Sequence, residues 1–310
     1  MTESSETFQE MVEGLTRTVK CVPPKYLYDE RGSELFEEIC RLPSYYPTRT
    51  ETRILEDNAA AIARLIGEDA LVIEPGSGAA TKVRILLREL RKRRYVPVEI
   101  SQEILLRTCD ELLLDFPGIE VYPVCADFTA DFALPEKVEK LSGKRVIFFP
   151  GSTIGNLEPE EARRFLARAR ELAGPGGGLL IGVDRKKDPL ILHRAYNDPE
   201  GVTAEFNLNL LRRINRETGA DFRLAHFRHQ AVYNAVLGRV EMHLVSTRDQ
   251  SVRLAQEEIR FYRGESIHTE SSYKYTVDEF ADLGERAGLR ALRHWEDATG
   301  LFSVFYFAGA

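Results

Sequence analysis

Short apolar runs alternate with amphipathic stretches between Glu56 and Asp184. Residues 59–67, AAAIARLIG, have helical spacing, and residues 71–78, LVIEPGSG, form an apolar run ending in glycines. The order then repeats. A helix is predicted over 81–93 (TKVRILLRELRKR), a strand over 95–101 (YVPVEIS), a helix over 101–116 (SQEILLRTCDELLLDF) and a strand over 119–128 (IEVYPVCADF). A fourth strand follows at 145–156 (RVIFFPGSTIGN), then a helix at 159–174 and a fifth strand at 176–184 (GGGLLIGVD). Strands that are apolar throughout, separated by amphipathic helices, predict a parallel sheet covered on both faces.

The pattern resumes late in the chain. Residues 276–289 have helical spacing with Gly288 near the end. Residues 289–297 and 300–309 read as two strands joined by a short turn at Asp297–Gly300. The expected fold class is therefore α/β, a doubly wound sheet closed by a terminal antiparallel hairpin. Two stretches fall outside the alternation. Residues 1–49 mix helix and loop and are rich in Tyr and Pro, while 187–274 hold a long helical part (202–219) and then strand-like runs (232–246 and 252–265). Since the sheet resumes after Tyr275, the latter is an insertion. The expected division is one domain of 50–186 with 275–310 and a second, α+β, of 1–49 with 187–274. A ligand cleft between the two is the expected consequence.

Composition narrows the function classes. The chain of 310 residues is ample for a sizeable core, and 43% hydrophobic with 29% charged residues excludes a disordered or membranous protein. A net charge of −7 argues against a nucleic-acid partner. The basic run Arg91–Arg94 falls at a predicted helix end, where cations suit the dipole. The four cysteines Cys21, Cys40, Cys109 and Cys125 contain no C-x-x-C pair and read as free thiols in a reducing cytosol. The amino terminus is polar and acidic rather than signal-like, and no apolar stretch is long enough to cross a bilayer. A cytoplasmic protein is expected. His226 and His229 lack an evident third ligand, so no metal is expected.

The first strand ends in Glu74-Pro75-Gly76-Ser77-Gly78. Glycines there let the backbone turn sharply and approach a ligand without Cβ clashes. The third glycine of a dinucleotide fingerprint is missing, because Thr81 stands there, followed by Lys82. Glu99 ends the second strand about 20 residues on, where a carboxylate can accept from both ribose hydroxyls. Asp127-Phe128 ends the third, beside the adenine position in such folds. Together the three strand ends favour S-adenosylmethionine over NAD. An NAD(P)-dependent oxidoreductase and a non-catalytic S-adenosylmethionine-binding protein are the alternatives.

Longer strings are more specific. KYLYDERGSELFEEICRLPSYYPTRTE, FFPGSTIGNLEPEE, DRKKDPLILHRAYNDPEGVTAEFN, RVEMHL and TESSYKY follow one another from Pro24 toward the final strand. In these the chain resembles the bacterial and fungal histidine Nα-methyltransferases of ergothioneine biosynthesis. The resemblance implies a Rossmann-like class I methyltransferase sheet and a cofactor, S-adenosylmethionine, held at Gly76, Lys82, Glu99, Asp127 and Phe128. Glu99 replaces the Asp of relatives and keeps the acceptor; Pro75 replaces an apolar residue, and a turn tolerates its fixed φ.

For the substrate, the resemblance implies that Asn156 accepts from the amine N–H and aims the lone pair. Spacing alone leaves a turn or N-cap role equally open. Tyr196 and Asn156 are similar to the pair holding the amino acid's carboxylate and amine, with Tyr28 close by; Asn156 and Tyr28 are the implied catalytic residues. Tyr45 is similar to the hydroxyl that meets the imidazole. Glu270 and Ser272 are similar to the pair reading that ring, and a carboxylate suits a ring N–H and favours imidazolium. Met242 is similar to a residue packing near the ring. Together Glu270 and Met242 argue against a relative retuned for an indole. The implied reaction is trimethylation of the α-amine of L-histidine to hercynine, by a monomer without a membrane or nucleic-acid partner. Methylation of another amino acid is the nearer alternative.

Overall fold

The apolar runs become strands and the amphipathic stretches become the helices between them. The structure, a computed structural model, describes residues 3–128, 130 and 132–309. Helices α1 (Glu3–Thr16), α2 (Glu30–Arg41) and α3 (Tyr46–Ile66) precede strand β1 (Leu71–Pro75). There follow α4 (Val83–Glu89), β2 (Arg94–Glu99), α5 (Gln102–Asp115), β3 (Glu120–Val121) and β4 (Val124–Cys125). The alternation continues through α6 (Glu136–Glu139), β5 (Arg145–Phe149), α7 (Pro159–Ala173) and β6 (Gly178–Asp184). Then come α8 (Pro189–Tyr196), α9 (Val202–Thr218) and five strands: β7 (Phe227–Asn234), β8 (Arg239–Ser246), β9 (Gln250–Leu254), β10 (Glu257–Phe261) and β11 (Ser266–Tyr273). The chain ends in α10 (Val277–Arg286), β12 (Leu289–Glu296) and β13 (Phe302–Gly309).

The chain divides into two compact units. One takes in the chain up to Tyr46 together with Lys187–Lys274; the other is Pro47–Lys186 and the chain from Tyr275 onward. The second unit is built on an eight-stranded sheet in the order β12-β13-β6-β5-β1-β2-β3, with β4 also paired to β2. Strands β1 to β6 pair in parallel, and β13 runs antiparallel to both β6 and β12. This is the doubly wound α/β sheet with a terminal hairpin that the pattern predicts. Strands β1 and β6 are buried at every residue, as a sheet covered on both faces requires. Edge strand β12 instead exposes Arg290, Arg293 and Glu296, which discourages pairing with another chain.

Helix boundaries follow local chemistry. Ser101 caps α5 by accepting from the Ile104 amide at 3.3 Å. Thr276 and Glu279 form a reciprocal capping box at the start of α10. Two expectations shift. The third strand is split into β3 and β4 around Tyr122-Pro123, where a proline without an N–H breaks the ladder. Helix α4 stops before the basic run. Arg91 pairs with Asp69, Arg93 donates to the Leu87 carbonyl at the helix end, and Arg94 is buried against the carbonyls of Ser142 and Asp69.

The other unit holds α1, α2, α8 and α9 with a three-stranded antiparallel sheet, β11-β8-β7, and the separate ribbon β9–β10. Asp29 accepts from the Gly32 amide at 2.8 Å, capping α2, and from Asn209 and Arg216 of α9 at 2.7 Å each. Burial alone would raise its pKa, but Arg216, the Gly32 amide and Asn209 hold the carboxyl below the ordinary range. The α2–α9 contact is thus fixed beside Tyr28. Among the described residues no helix is long and apolar enough to cross a membrane.

Where β6 begins, Gly178 lies against the fully buried Tyr306. A Cβ there would sit 2.6 Å from Tyr306 Cζ and 2.7 Å from the Phe307 carbonyl oxygen. Gly178→Ala is therefore expected to destabilise the protein by about 1–3 kcal/mol, the usual effect of overpacking. A denaturant midpoint equal to that of the unsubstituted protein would show that the strand pair yields at no cost.

Candidate active site

In the sheet-bearing unit, the carboxyl ends of β1 and β2 converge. Gly76 and Gly78 both take positive φ, +67° and +49°, which an L side chain rarely adopts. The amides of Gly76 and Ser77 donate to the Val98 carbonyl at 2.8 and 3.1 Å, folding the loop back over β2. Glu99 closes the turn, accepting from Gly78 at 3.0 Å, from Ile100 at 2.9 Å and from Ser101 at 3.2 Å. Those amides leave further lone pairs on the half-buried carboxylate for a ribose. The Phe128 ring lies against Gly76, where a Cβ would come within 3.1 Å of it. Its own backing is Phe149 and Phe165, at centroid distances of 5.5 and 6.1 Å. Glycine backbone, carboxylate and half-buried aromatic ring fit an adenosine-bearing group. Asp127 precedes Phe128 and is half-buried.

Behind this loop lie two carboxylates, Glu74 and Glu51, and one ammonium, Lys82. Glu74 is buried and accepts from the Tyr95 hydroxyl at 2.5 Å. Burial pushes its carboxyl up to about 8; Tyr95 and Lys82 pull it down, while Glu51 and Glu99 push it further up. Lys82, expected as a cofactor contact, directs its ammonium to buried Glu51. Glu51 in turn accepts from the Gly151 amide at 2.7 Å. A side chain on α3 thereby braces both the loop after β1 and the loop after β5. That second loop carries Asn156 at the end of a 3-10 turn, Thr153–Asn156. Its preceding residues Gly151 and Ser152 take positive φ, +84° and +59°, and the Ser152 hydroxyl accepts from the Asp184 amide at 2.9 Å. For Ser152 this is a strained conformation, held by bonds on both sides.

In the other unit, Tyr28, Tyr45, Tyr196, Met242 and Glu270 line one cavity with Phe36 and Phe206. The phenols are steered by edge-on ring contacts: Tyr28 with Phe206 at 5.4 Å and Tyr45 with Tyr196 at 6.2 Å. A register shift between His268 and Glu270 sets the polar wall. Ile267 pairs with Leu244 on the inward face, so strict alternation would make Glu270 the partner of Glu241. The bulge instead pairs Glu270 with Met242 and Ser272 with Val240. Glu270 and Ser272 thereby share the face of Met242 and Val240, and both are buried, at 7% and 5% exposure. Burial pushes the Glu270 carboxyl up to about 7, and Lys274 and a bond from Tyr28 pull against it. Burial also raises the Tyr28 and Tyr45 phenols well above their ordinary value.

Ser272 and Tyr196 share a hydrogen bond of 2.8 Å between their hydroxyl oxygens. His229 Nε2 donates to the Tyr196 carbonyl at 2.8 Å, and His226 Nδ1 lies 3.1 Å from Gln250. The two histidines thus serve separate partners, and among the described residues no His, Cys, Asp and Glu group could hold a metal. Sequence reading missed Glu51 and Lys274. Both lie inside the quoted strings, and the only local signal is a charge next to residues destined for burial.

Glu99→Ala is expected to weaken S-adenosylmethionine binding by more than tenfold. Each hydrogen bond from a ribose hydroxyl to a charged acceptor is worth about 1.5–3 kcal/mol, and the Gly78 turn loses its anchor as well. Calorimetry checks this; undiminished affinity would move the cofactor site away from β2.

A family model described as histidine-specific methyltransferase, SAM-dependent, matches residues 7–308. The chain is 42% identical to a histidine N-alpha-methyltransferase of Mycolicibacterium smegmatis over 298 residues, 94% of this chain and 91% of that protein. It is 33% identical to ergothioneine biosynthesis protein 1 of Neurospora crassa over 88% of this chain and 32% of that protein. Among solved structures, an S-adenosylmethionine-dependent methyltransferase from Clostridium acetobutylicum shares the fold, with a TM-score of 0.51 at 9% identity. That alignment covers 90% of this chain and 98% of the other. A match over almost the whole length settles the matter of kinship: the chain belongs to the histidine-specific, S-adenosylmethionine-dependent methyltransferase family.

Proposed function

We propose that the chain methylates the α-amine of L-histidine with S-adenosylmethionine, three times in succession, giving hercynine at the first step of ergothioneine biosynthesis. The carrying observation is the cavity in which a buried carboxylate, Glu270, stands opposite Met242 among three phenols. An imidazole N–H answers that carboxylate, and apolar side chains of similar size do not. In this reading the sheet-bearing unit, with Gly76, Lys82, Glu99, Asp127 and Phe128, serves the cofactor. The other unit serves the amino acid, and both ligands are small molecules. The net charge of −7 supports a protein that works without nucleic acid. We take it to act as a cytoplasmic monomer.

S-adenosylmethionine supplies a methyl group that is already on a good leaving group, so the protein's task is chiefly orientation. Glu270 and Ser272 hold the ring, Tyr45 meets it, and Tyr196 and Tyr28 hold the carboxylate end. The Asn156 side-chain carbonyl accepts from the amine N–H and turns the lone pair toward the methyl. The amine has to be neutral, since a protonated one has no lone pair and repels a sulfonium. Water accepts the departing proton. As methyls accumulate the amine loses its N–H donors, so the hold on ring and carboxylate carries the later rounds.

Two outcomes are expected. Asn156→Ala lowers kcat on the order of 10²-fold, the scale of a misplaced reactant, while S-adenosylmethionine affinity stays near that of the unsubstituted enzyme. Full turnover would make Asn156 a turn residue only. Second, in a mass-spectrometric competition the unsubstituted enzyme methylates histidine and passes over leucine and phenylalanine, which bring no ring N–H to the buried Glu270 carboxylate. Glu270→Ala erodes that preference, and Glu270→Ala with Met242→Ala admits tryptophan. An identical histidine preference in all three proteins would remove Glu270 from recognition.

A further inference from the structure

Lys274 is 2% exposed, an unusual place for an ammonium. It follows β11, and its amide donates to the Gly238 carbonyl at 2.8 Å. That bond continues the alternation set by the bulge, so Glu270, Ser272 and Lys274 follow one another on the inward face. The Lys274 ammonium donates to Ser272 Oγ at 2.6 Å and to Tyr196 Oη at 2.9 Å, and it lies 4.9 Å from the Tyr196 ring centroid. With the Tyr196–Ser272 bond, the three groups close a ring. Packing alone does not call for a charge here, because a hydrocarbon of the same length fills the space without desolvating an ion.

Several titratable groups surround Glu270. Tyr28, two residues before α2, bonds to it; Tyr45 and Tyr196 line the same cavity, and Cys40 of α2 is near Tyr28 and Tyr45. Burial raises the Tyr28 and Tyr45 phenols well above their ordinary value, so neither supplies a charge near pH 7. Lys274 is the cation that acts on Glu270, and its field opposes the effect of burial.

We propose that Lys274 is a positioning residue for substrate recognition: its ammonium fixes the Tyr196 and Ser272 hydroxyls beside the ring site, and it is the countercharge that draws the neighbouring Glu270 toward its carboxylate form. The role in recognition rests on reading this cavity as the amino-acid site; the charge coupling does not. Without the countercharge, Glu270 stays protonated at neutral pH and loses the negative charge that makes it a strong acceptor for an imidazole N–H.

The test follows the Glu270 carboxyl directly, by carbon NMR of the full-length protein labelled at glutamate Cδ and assigned with Glu270→Gln. The midpoint is expected at about 7 in the unsubstituted protein. It should lie about one pH unit or more higher in Lys274→Met and return toward the original in Lys274→Arg, the size of a lost or restored neighbouring charge. The acid limb of kcat/KM for histidine moves with it, and KM rises more than kcat falls. In the Glu270→Gln background, Lys274→Met adds only the smaller loss from releasing the Tyr196 and Ser272 hydroxyls, because no charge is left to balance. S-adenosylmethionine calorimetry shows that each variant is folded. An unmoved Glu270 midpoint in folded Lys274→Met, or losses that simply add in the double variant, would overturn the proposal. A moved midpoint in an enzyme that ignores histidine would uphold the coupling and remove only the substrate reading.

Discussion

A carboxylate taken out of water has to be met by donors and countercharge, and this chain does so twice with the same set of groups. Glu74 is buried against a phenol, Tyr95, with Lys82 as the nearby cation. Glu270 is buried near another phenol, Tyr28, with Lys274 as the cation. Burial dominates in both, lifting the carboxyls to about 8 and about 7. An unpaired charge at either place would cost several kcal/mol. Each cluster therefore fixes several side chains at once, and the neighbouring loops inherit their positions from it. In the sheet-bearing unit the same lysine reaches Glu51, which extends the brace to Gly151 and the turn bearing Asn156.

Regular elements and irregular ones divide the work. The parallel strands are buried on both faces and carry little chemistry along their length. Chemistry gathers where they end, in backbone that only special conformations permit: Gly76 and Gly78 after β1, Gly151 and Ser152 after β5. The rigid sheet sets the positions of these loops, and bonds from Glu99, Glu51 and Ser152 set their shapes.

Much of this was legible in the chain. Periodicity marked the strands and helices of the sheet because parallel strands must be apolar throughout. It was silent where local pattern and tertiary demand part company. Pro123 divides a strand whose flanks look continuous. Helix α4 ends before its basic run because Asp69 and distant carbonyls claim the arginines. The grouping of Tyr28, Tyr45, Tyr196, Met242 and Glu270 in one cavity was legible only through the long strings, since residues so far apart share no periodicity. Lys274 and Glu51 escaped notice because a buried charge is recognised by its partners. Those partners lie on other elements.

The bulge at Thr269 has a consequence for how such a cavity can change over generations. Substitution alters one side chain at a time, but β11 presents its residues in alternation. Drawing Thr269 into the ladder as an ordinary pair would slip the rest of β11 by one residue, turning Glu270, Ser272 and Lys274 away from the cavity together and Ser271 and Tyr273 toward it. One slip of register would thus replace an acid, a hydroxyl and an ammonium in one step. A change of register at this one point is a coarser and faster route to a new ligand than any sequence of exchanges along the wall.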